Sequence, residues 1–483
     1  MSSLRNSPCA PNPRRTEQGS AVITVLILAA VTALIASSFL FRATQEARLA
    51  TRSLYQSVAL NLAEAGIEEG LYAANISYSA NPSGFYAYAA NISGFSTANG
   101  WTLVSGTTSD YSKTIMSGFD FPQGTGTVYI RVDSAASLTP VVTAAGVVTI
   151  PRQPPVMKQL RVASGRRRLW SNGMVVKSAL TFSGNATVDS YDSSVGVPNA
   201  ATNKSDQATV ATVSTAVDPL VIGSNVIIYG YVATGAANPD IGSGGRVYGA
   251  TTPAGTLVDT SRIRHDFTAN LPDATAPTET GVSLGVISSN TVLPRVGDLP
   301  GTNGRYLYRT PSVSVAGSNA ITILGPVDIV VSGDISVTGN ASIAVGGAGA
   351  VSPSINVYCP GTINIAGNGM TNLSNVPANA SIWGTGAAAS SQTVSIAGNG
   401  SFTGTIYAPN AALTMTGNGA NMGAIISKSA TVGGNGQFHY DTQLSLLSSD
   451  PAFRPTSWCE LGAAASSTSV FHRDNRTPFA SLF

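Results

Sequence analysis

Side chains able to do chemistry are sparse in this sequence, and they fall in three short stretches. The first, "DSYDS", holds Asp189 and Asp192; the second, "DTSRIRHDF", holds Asp259, His265 and Asp266; the third, "FHYD", holds His439 and Asp441. Carboxylates converging on a groove can supply the acid and base of polysaccharide cleavage. Asp189 and Asp192 are also the candidates for holding a ligand or an ion such as calcium, although their spacing matches no calcium loop. Each stretch has a plainer reading. Asp beside Ser commonly makes or caps a turn, and His439 between Phe438 and Tyr440 reads as a strand-end residue with a satisfied hydrogen bond. The plainer reading is preferred, so no catalytic residue, cofactor or metal site is assigned and the chain is read as non-enzymatic. No G-x-S-x-G, H-E-x-x-H, P-loop or EF-hand pattern occurs.

The cysteines are Cys9, Cys359 and Cys459. Cys9 precedes the apolar segment without the small-residue box of a lipoprotein signal. Loss of a leader would leave Cys359 and Cys459, either paired in a disulfide of an exported protein or standing as two thiols. No Cys/His spacing suggests a metal.

The elements that must position these residues follow from composition. Only 10% of the 483 residues are charged and the formal net charge is +2, so no basic face is present for a nucleic acid. With 50 Gly but 43% hydrophobic residues, the chain is too apolar to be a disordered polymer. Many short strands joined by Gly/Asn turns reconcile the two.

From Ala21 to Phe41 no residue is charged, and neither Gly nor Pro interrupts the run. At about 1.5 Å per residue it spans about 31 Å, a bilayer core. Arg5, Arg14 and Arg15 precede it, which places the N-terminus in the cytoplasm and the bulk of the chain outside it, in a single-pass arrangement. An ordinary secretory signal is disfavoured by the length of the run and by the lack of an A-x-A site. The helical pattern continues to Ala74, with Leu54, Val58, Leu62, Ile67 and Leu71 as its apolar stripe.

A short basic leader ending in Gly19, a small residue at Ser20 and an uninterrupted apolar run resemble the prepilin signal of type IV pilins and pseudopilins. The segment "LAEAGIEEGLYAA" (Leu62 to Ala74) resembles the PilX-type minor pilins. The resemblance implies processing by a prepilin peptidase at the Gly19–Ser20 bond, residence in the inner membrane before assembly, and partnership with other pilin subunits. The fifth mature residue is a glutamate in major pilins and Thr24 here. Thr24 cannot offer a buried carboxylate to a neighbour's N-terminal amine, which points to a minor subunit rather than a major one.

Beyond the helix, residues 75–170 contain the candidate strands "GTVYIRVDS", "PVVTAAGVVTIP" and "KQLRVAS" and read as a small antiparallel pilin-head-like sheet. Arg166, Arg167 and Arg168 read as a solvated turn. From 171 to 441, Gly-Asn pairs recur at Gly184, Gly339, Gly367, Gly398, Gly417 and Gly434, the last three spaced by 19 and 17 residues. That period, with alternating strands between the pairs, predicts a parallel β-solenoid whose corner asparagines stack in a ladder. A β-sandwich with NG hairpins is the alternative. The stretches "SGNATVDSYDS", "GTIYAPNAALTMTGNGANMGAIISKSATVGGNGQFHYD" and "TSWCEL" resemble C-terminal domains attached to some PilX-like proteins of environmental bacteria, and there is a weaker likeness to bactofilins. Residues 442–483 read as a tail.

The expected protein is therefore α+β. It has a leader (1–19), a transmembrane pilin-like helix (20–74), a small antiparallel sheet (75–170) and a right-handed or bactofilin-like β-solenoid (171–441). The expected function is a minor pilin-like component of a type IV pilus or related secretion filament. The alternative is a membrane-anchored β-solenoid that binds or degrades polysaccharide, with surface glycans as partners.

Overall fold

A single helix, Glu17–Asn75, opens the chain. The structure, a computed structural model, describes residues 17–76, 79–80, 86–87, 93–121, 124–137, 139–166, 168–397, 402–448 and 453–462. Cys9, the leader arginines, Arg167, the Gly398-Asn399 pair and the chain beyond 462 lie outside the described residues. The helix has 59 residues and is about 88 Å long. Its two halves live in different surroundings. Between Ala21 and Ala50 every side chain is exposed except half-buried Gln45. Hydroxyls in this half turn back onto the helix: Thr32 donates to Leu28 O at 2.9 Å and Ser37 to Leu34 O at 2.9 Å. They therefore need no water.

The second half packs on a six-stranded antiparallel sheet. Its strands are Thr102–Leu103, Tyr111–Phe121, Gly124–Asp133, Val141–Thr149, Val156–Arg166 and Phe453–Leu461, in that spatial order. The helix buries Tyr55, Ala59, Leu62, Ala63 and Ile67 against Val128, Ile130, Val142 and Leu160. Of the expected stripe, Leu62 and Ile67 are buried and Val58 and Leu71 pack beside them, while Leu54 is 61% exposed. Small residues decide the face. A Cβ on Gly70 would lie 2.5 Å from Val142 Cγ1, and one on Gly146 would lie 2.0 Å from the Ala59 carbonyl oxygen. The sheet lies against the helix backbone there, closer than a leucine stripe permits.

The expected fold class needs correction. The chain is mostly β with one helix. The antiparallel sheet is large, and it recruits Phe453–Leu461, read from sequence as tail, as an edge strand beside Val156–Arg166. In place of the expected β-solenoid or β-sandwich, the strands from Met174 to Asp441 form one connected 25-stranded sheet. Within it six parallel strands close a ring: Met174–Val176, Ala208–Thr212, Ile227–Ala233, Thr187–Tyr191, Gln437–Asp441 and Ala420–Val432, which returns to Met174–Val176.

The reason lies in the order of pairing. One inward row runs Val315, Val337, Ile365, Ile396, Met415, Val432, each paired with the next. The next neighbour of Val432 is not a later residue but Phe182, which in turn pairs with Ile222. The first strands of the region are wedged between its last strands and its second set. A sequence period cannot report such a return. Inward Val, Ile, Leu, Met and Phe side chains make a single apolar core along the whole sheet.

Candidate functional site

Two places emerge: the exposed half of the helix, and a groove beside the ring.

The helix is the one described element long and apolar enough to cross a membrane, by length and composition. Thr24 sits in its exposed half. Gly19 and Ser20 fall in its first turn, and only their backbone is described.

The groove, about 360 Å³ in volume, lies between the outward face of the parallel sheet and the 198–204 loop. Alternation along parallel strands sets its floor. Asp189 is registered beside His439, and Thr187 beside both Gln437 and Ile227. Ile227 in turn pairs with Arg246, and Tyr229 with Tyr248. All of these point the same way. Asp189 accepts a short hydrogen bond from His439 Nδ1, and its other oxygen lies 3.5 Å from Lys204 Nζ. His439 Nε2 is 3.4 Å from Gln437 Oε1. The Lys204 ammonium sits 5.0 Å from the centre of the Tyr229 ring, and Tyr229 meets Tyr248 edge to face at 5.2 Å.

The loop that walls the groove is pinned. Asn203 Nδ2 donates to the carbonyls of Asp192, Gly196 and Val197 at 2.9–3.2 Å, and its Oδ1 accepts from Asp192 N at 2.9 Å. Ser190 and Ser205 exchange backbone and hydroxyl bonds below it.

The residues singled out from sequence are distributed as follows. Asp189 and His439 come together. Asp192 faces its own turn: its Oδ1 accepts from the N–H and hydroxyl of Ser194 at 2.8 and 2.6 Å. Burial opposes ionisation of Asp192, but the Ser194 bonds outweigh it and hold the carboxyl below the usual range. Asp441 is fully buried. Its Oδ1 accepts from Ser193 N and Gln443 N at 3.0 and 3.1 Å, while its Oδ2 has no partner among the described residues. Burial, with the nearby charge of Asp192, pushes this carboxyl up. Asp259 is taken up by Ser261, Thr252 and Arg262 as the cap of a short 3-10 helix. Its bonds to the Ser261 and Thr252 hydroxyls hold it low. His265 Nδ1 lies 3.3 Å from Thr234 Oγ1, and Asp266 is exposed. Among the described residues no three His, Cys, Asp or Glu side chains converge as a metal site.

Cys359 and Cys459 stand as separate thiols, Cys359 buried and Cys459 half-buried. Cys359 ends a strand of the parallel sheet and donates to Gly333 O, and burial pushes its thiol up to about 11. Cys459 lies on the edge strand of the antiparallel sheet, at 3.4 Å from Arg161 O. Arg166 rests on the Phe453 ring at 4.3 Å, so it is not simply solvated.

Sequence reasoning missed Lys204, Tyr229, Tyr248 and Gln437. The alternation of "IIYGYVA" and "RVY" marks the two tyrosines as outward, but nothing local says that residue 437 lies beside residue 187.

Residues 259–447 match the model of a family described as a domain of unknown function (DUF7305). No curated protein matches. Two solved structures are similar over long stretches. One is the competence-associated pilin ComZ from Thermus thermophilus, at 10% identity over 75% of this chain and 88% of that one, with a TM-score of 0.22. The other is a glycosylated ice-binding protein (LeIBP) from an Arctic yeast, at 11% identity over 57% of this chain and 96% of that one, with a TM-score of 0.22. Scores this low define neither fold nor function.

Proposed function

We propose that this chain is a non-enzymatic, membrane-anchored structural component of a type IV pilus or related secretion filament, a minor subunit that displays its β region outside the cytoplasm. The observation that carries this reading is the division of the helix. One half is buried against the antiparallel sheet, and the other stands free of protein cover, with the apolar run Ala21–Phe41 making up about 31 Å of it. Such a surface needs lipid before assembly and the helices of neighbouring subunits after it. The resemblance of the leader and of Leu62–Ala74 to prepilins and PilX-type minor pilins supports the same role. So does Thr24, which lacks the carboxylate of a major subunit. The arginines before the apolar run orient the N-terminus to the cytoplasm. Prepilin peptidase and other pilin subunits are the partners this reading requires.

The test is the mass of the mature N-terminus in membranes from the native host. The expected result is a chain beginning at Ser20. An intact leader, or cleavage after Phe41, would overturn the proposal.

A further inference from the structure

We infer that the groove between the 198–204 loop and the ring of parallel strands binds an uncharged saccharide and holds it without cleavage. The inference rests on the groove alone and is independent of how the chain is anchored.

Four features carry it. First, the groove is built rather than incidental. Asn203 and the Ser190–Ser205 bonds fix its wall, so little order has to be imposed when a ligand enters. At about 360 Å³ it falls within the range of small-molecule sites, near the lower end. Second, its floor pairs aromatic surface with polar groups. Tyr229 and Tyr248 offer ring surface that suits the C–H face of a pyranose. Around them stand a carboxylate, an imidazole, a carboxamide and an ammonium, able to donate to and accept from the hydroxyls on a sugar's rim.

Third, the charges are internally matched. Asp189 is engaged by both His439 and Lys204, so no strong field of one sign invites a phosphate, a uronate or a metal ion. Fourth, the groove holds one carboxylate, Asp189, among its lining residues. Glycoside hydrolysis by the common routes needs two, about 5–9.5 Å apart. Asp192 is committed to Ser194, which leaves binding without turnover.

The experiment uses the full chain in detergent, titrated calorimetrically with a panel of neutral oligosaccharides (cello-, xylo-, manno- and chito-oligomers) and with oligogalacturonate. At least one neutral oligomer should bind with a Kd of micromolar to millimolar order. Tyr229→Ala should weaken it tenfold or more, while Tyr229→Phe, which keeps the ring, should stay within about threefold. Ala200 is exposed on the wall, so Ala200→Trp fills the groove without disturbing the core and should also abolish binding. That variant keeps the test decisive if Tyr229→Ala fails to fold. The inference is overturned if no neutral oligomer binds, if binding survives Ala200→Trp, if oligogalacturonate binds in preference, or if new reducing ends accumulate during incubation.

Discussion

Burial raises the carboxyl of Asp441 in the folded chain. Its Oδ2 and the Tyr191 hydroxyl are both buried without partners among the described residues, and burial pushes both groups up. A carboxyl raised in the folded state binds its proton before the unfolded chain does, so its contribution to stability grows as pH falls from neutral towards the ordinary carboxylate value. This is opposite in sign to Asp192, Asp206 and Asp259, whose lowered values make acid destabilising. The prediction is therefore differential. Measured as melting temperatures from pH 7 down to pH 4, the wild type should gain on Asp441→Asn as acid is added. A constant offset between the two would show that Asp441 does not titrate as described.

At the scale of elements, two contacts can be tested. Gly146 lies where a strand of the antiparallel sheet meets the helix backbone. Gly146→Val should cost about 2–3 kcal/mol by overpacking, read as a lower denaturation midpoint with an unchanged slope. The second contact is the row of corner asparagines. Asn185 Nδ2 donates to Asn435 Oδ1 at 2.8 Å, and Asn435 Nδ2 donates to Asn418 Oδ1 at 3.0 Å. Asn435→Ala should cost about 1 kcal/mol through loss of both exposed bonds. Asn435→Asp can still accept from Asn185 but cannot donate to Asn418, so its cost should be smaller in acid than at neutral pH. Equal melting temperatures for all three chains would dismiss the row as a stabilising feature.

What the sequence could reveal sorts along the same line. The asparagine corners and the helix were legible because each is a local pattern, set by turn chemistry and by a run of apolar residues. Of the helix's buried face, Leu62, Ile67, Val58 and Leu71 were legible; Leu54, which points outward, and the small residues Ala59, Gly66 and Gly70 that let the sheet approach were not. Of the groove, Asp189 and His439 could be suspected singly. Their meeting could not, because it depends on a register between strands 250 residues apart.

At the scale of the whole molecule, both of the larger sheets are completed by strands from late in the chain. Gln437–Asp441 lies between Ala420–Val432 and Thr187–Tyr191, and Phe453–Leu461 completes the antiparallel sheet. A chain stopped before Gln437 should lose the cooperative melt of the parallel sheet, and limited proteolysis should then cut within 174–233, a region the deletion does not touch. Protection of that region in the shortened chain would contradict the ring.

The ring also imposes a timetable. With the N-terminus held in the cytoplasm as proposed, the chain beyond the helix would emerge in sequence order, and Met174–Val176 and Thr187–Tyr191 would reach the outside long before their partners at 420–441. Each can pair early with Ala208–Thr212 or Ile227–Ala233, but its other edge would stay open while more than half of the chain is still being threaded through. Emergence of residues 420–441, rather than arrival of the first strands, would then be the event that closes the ring.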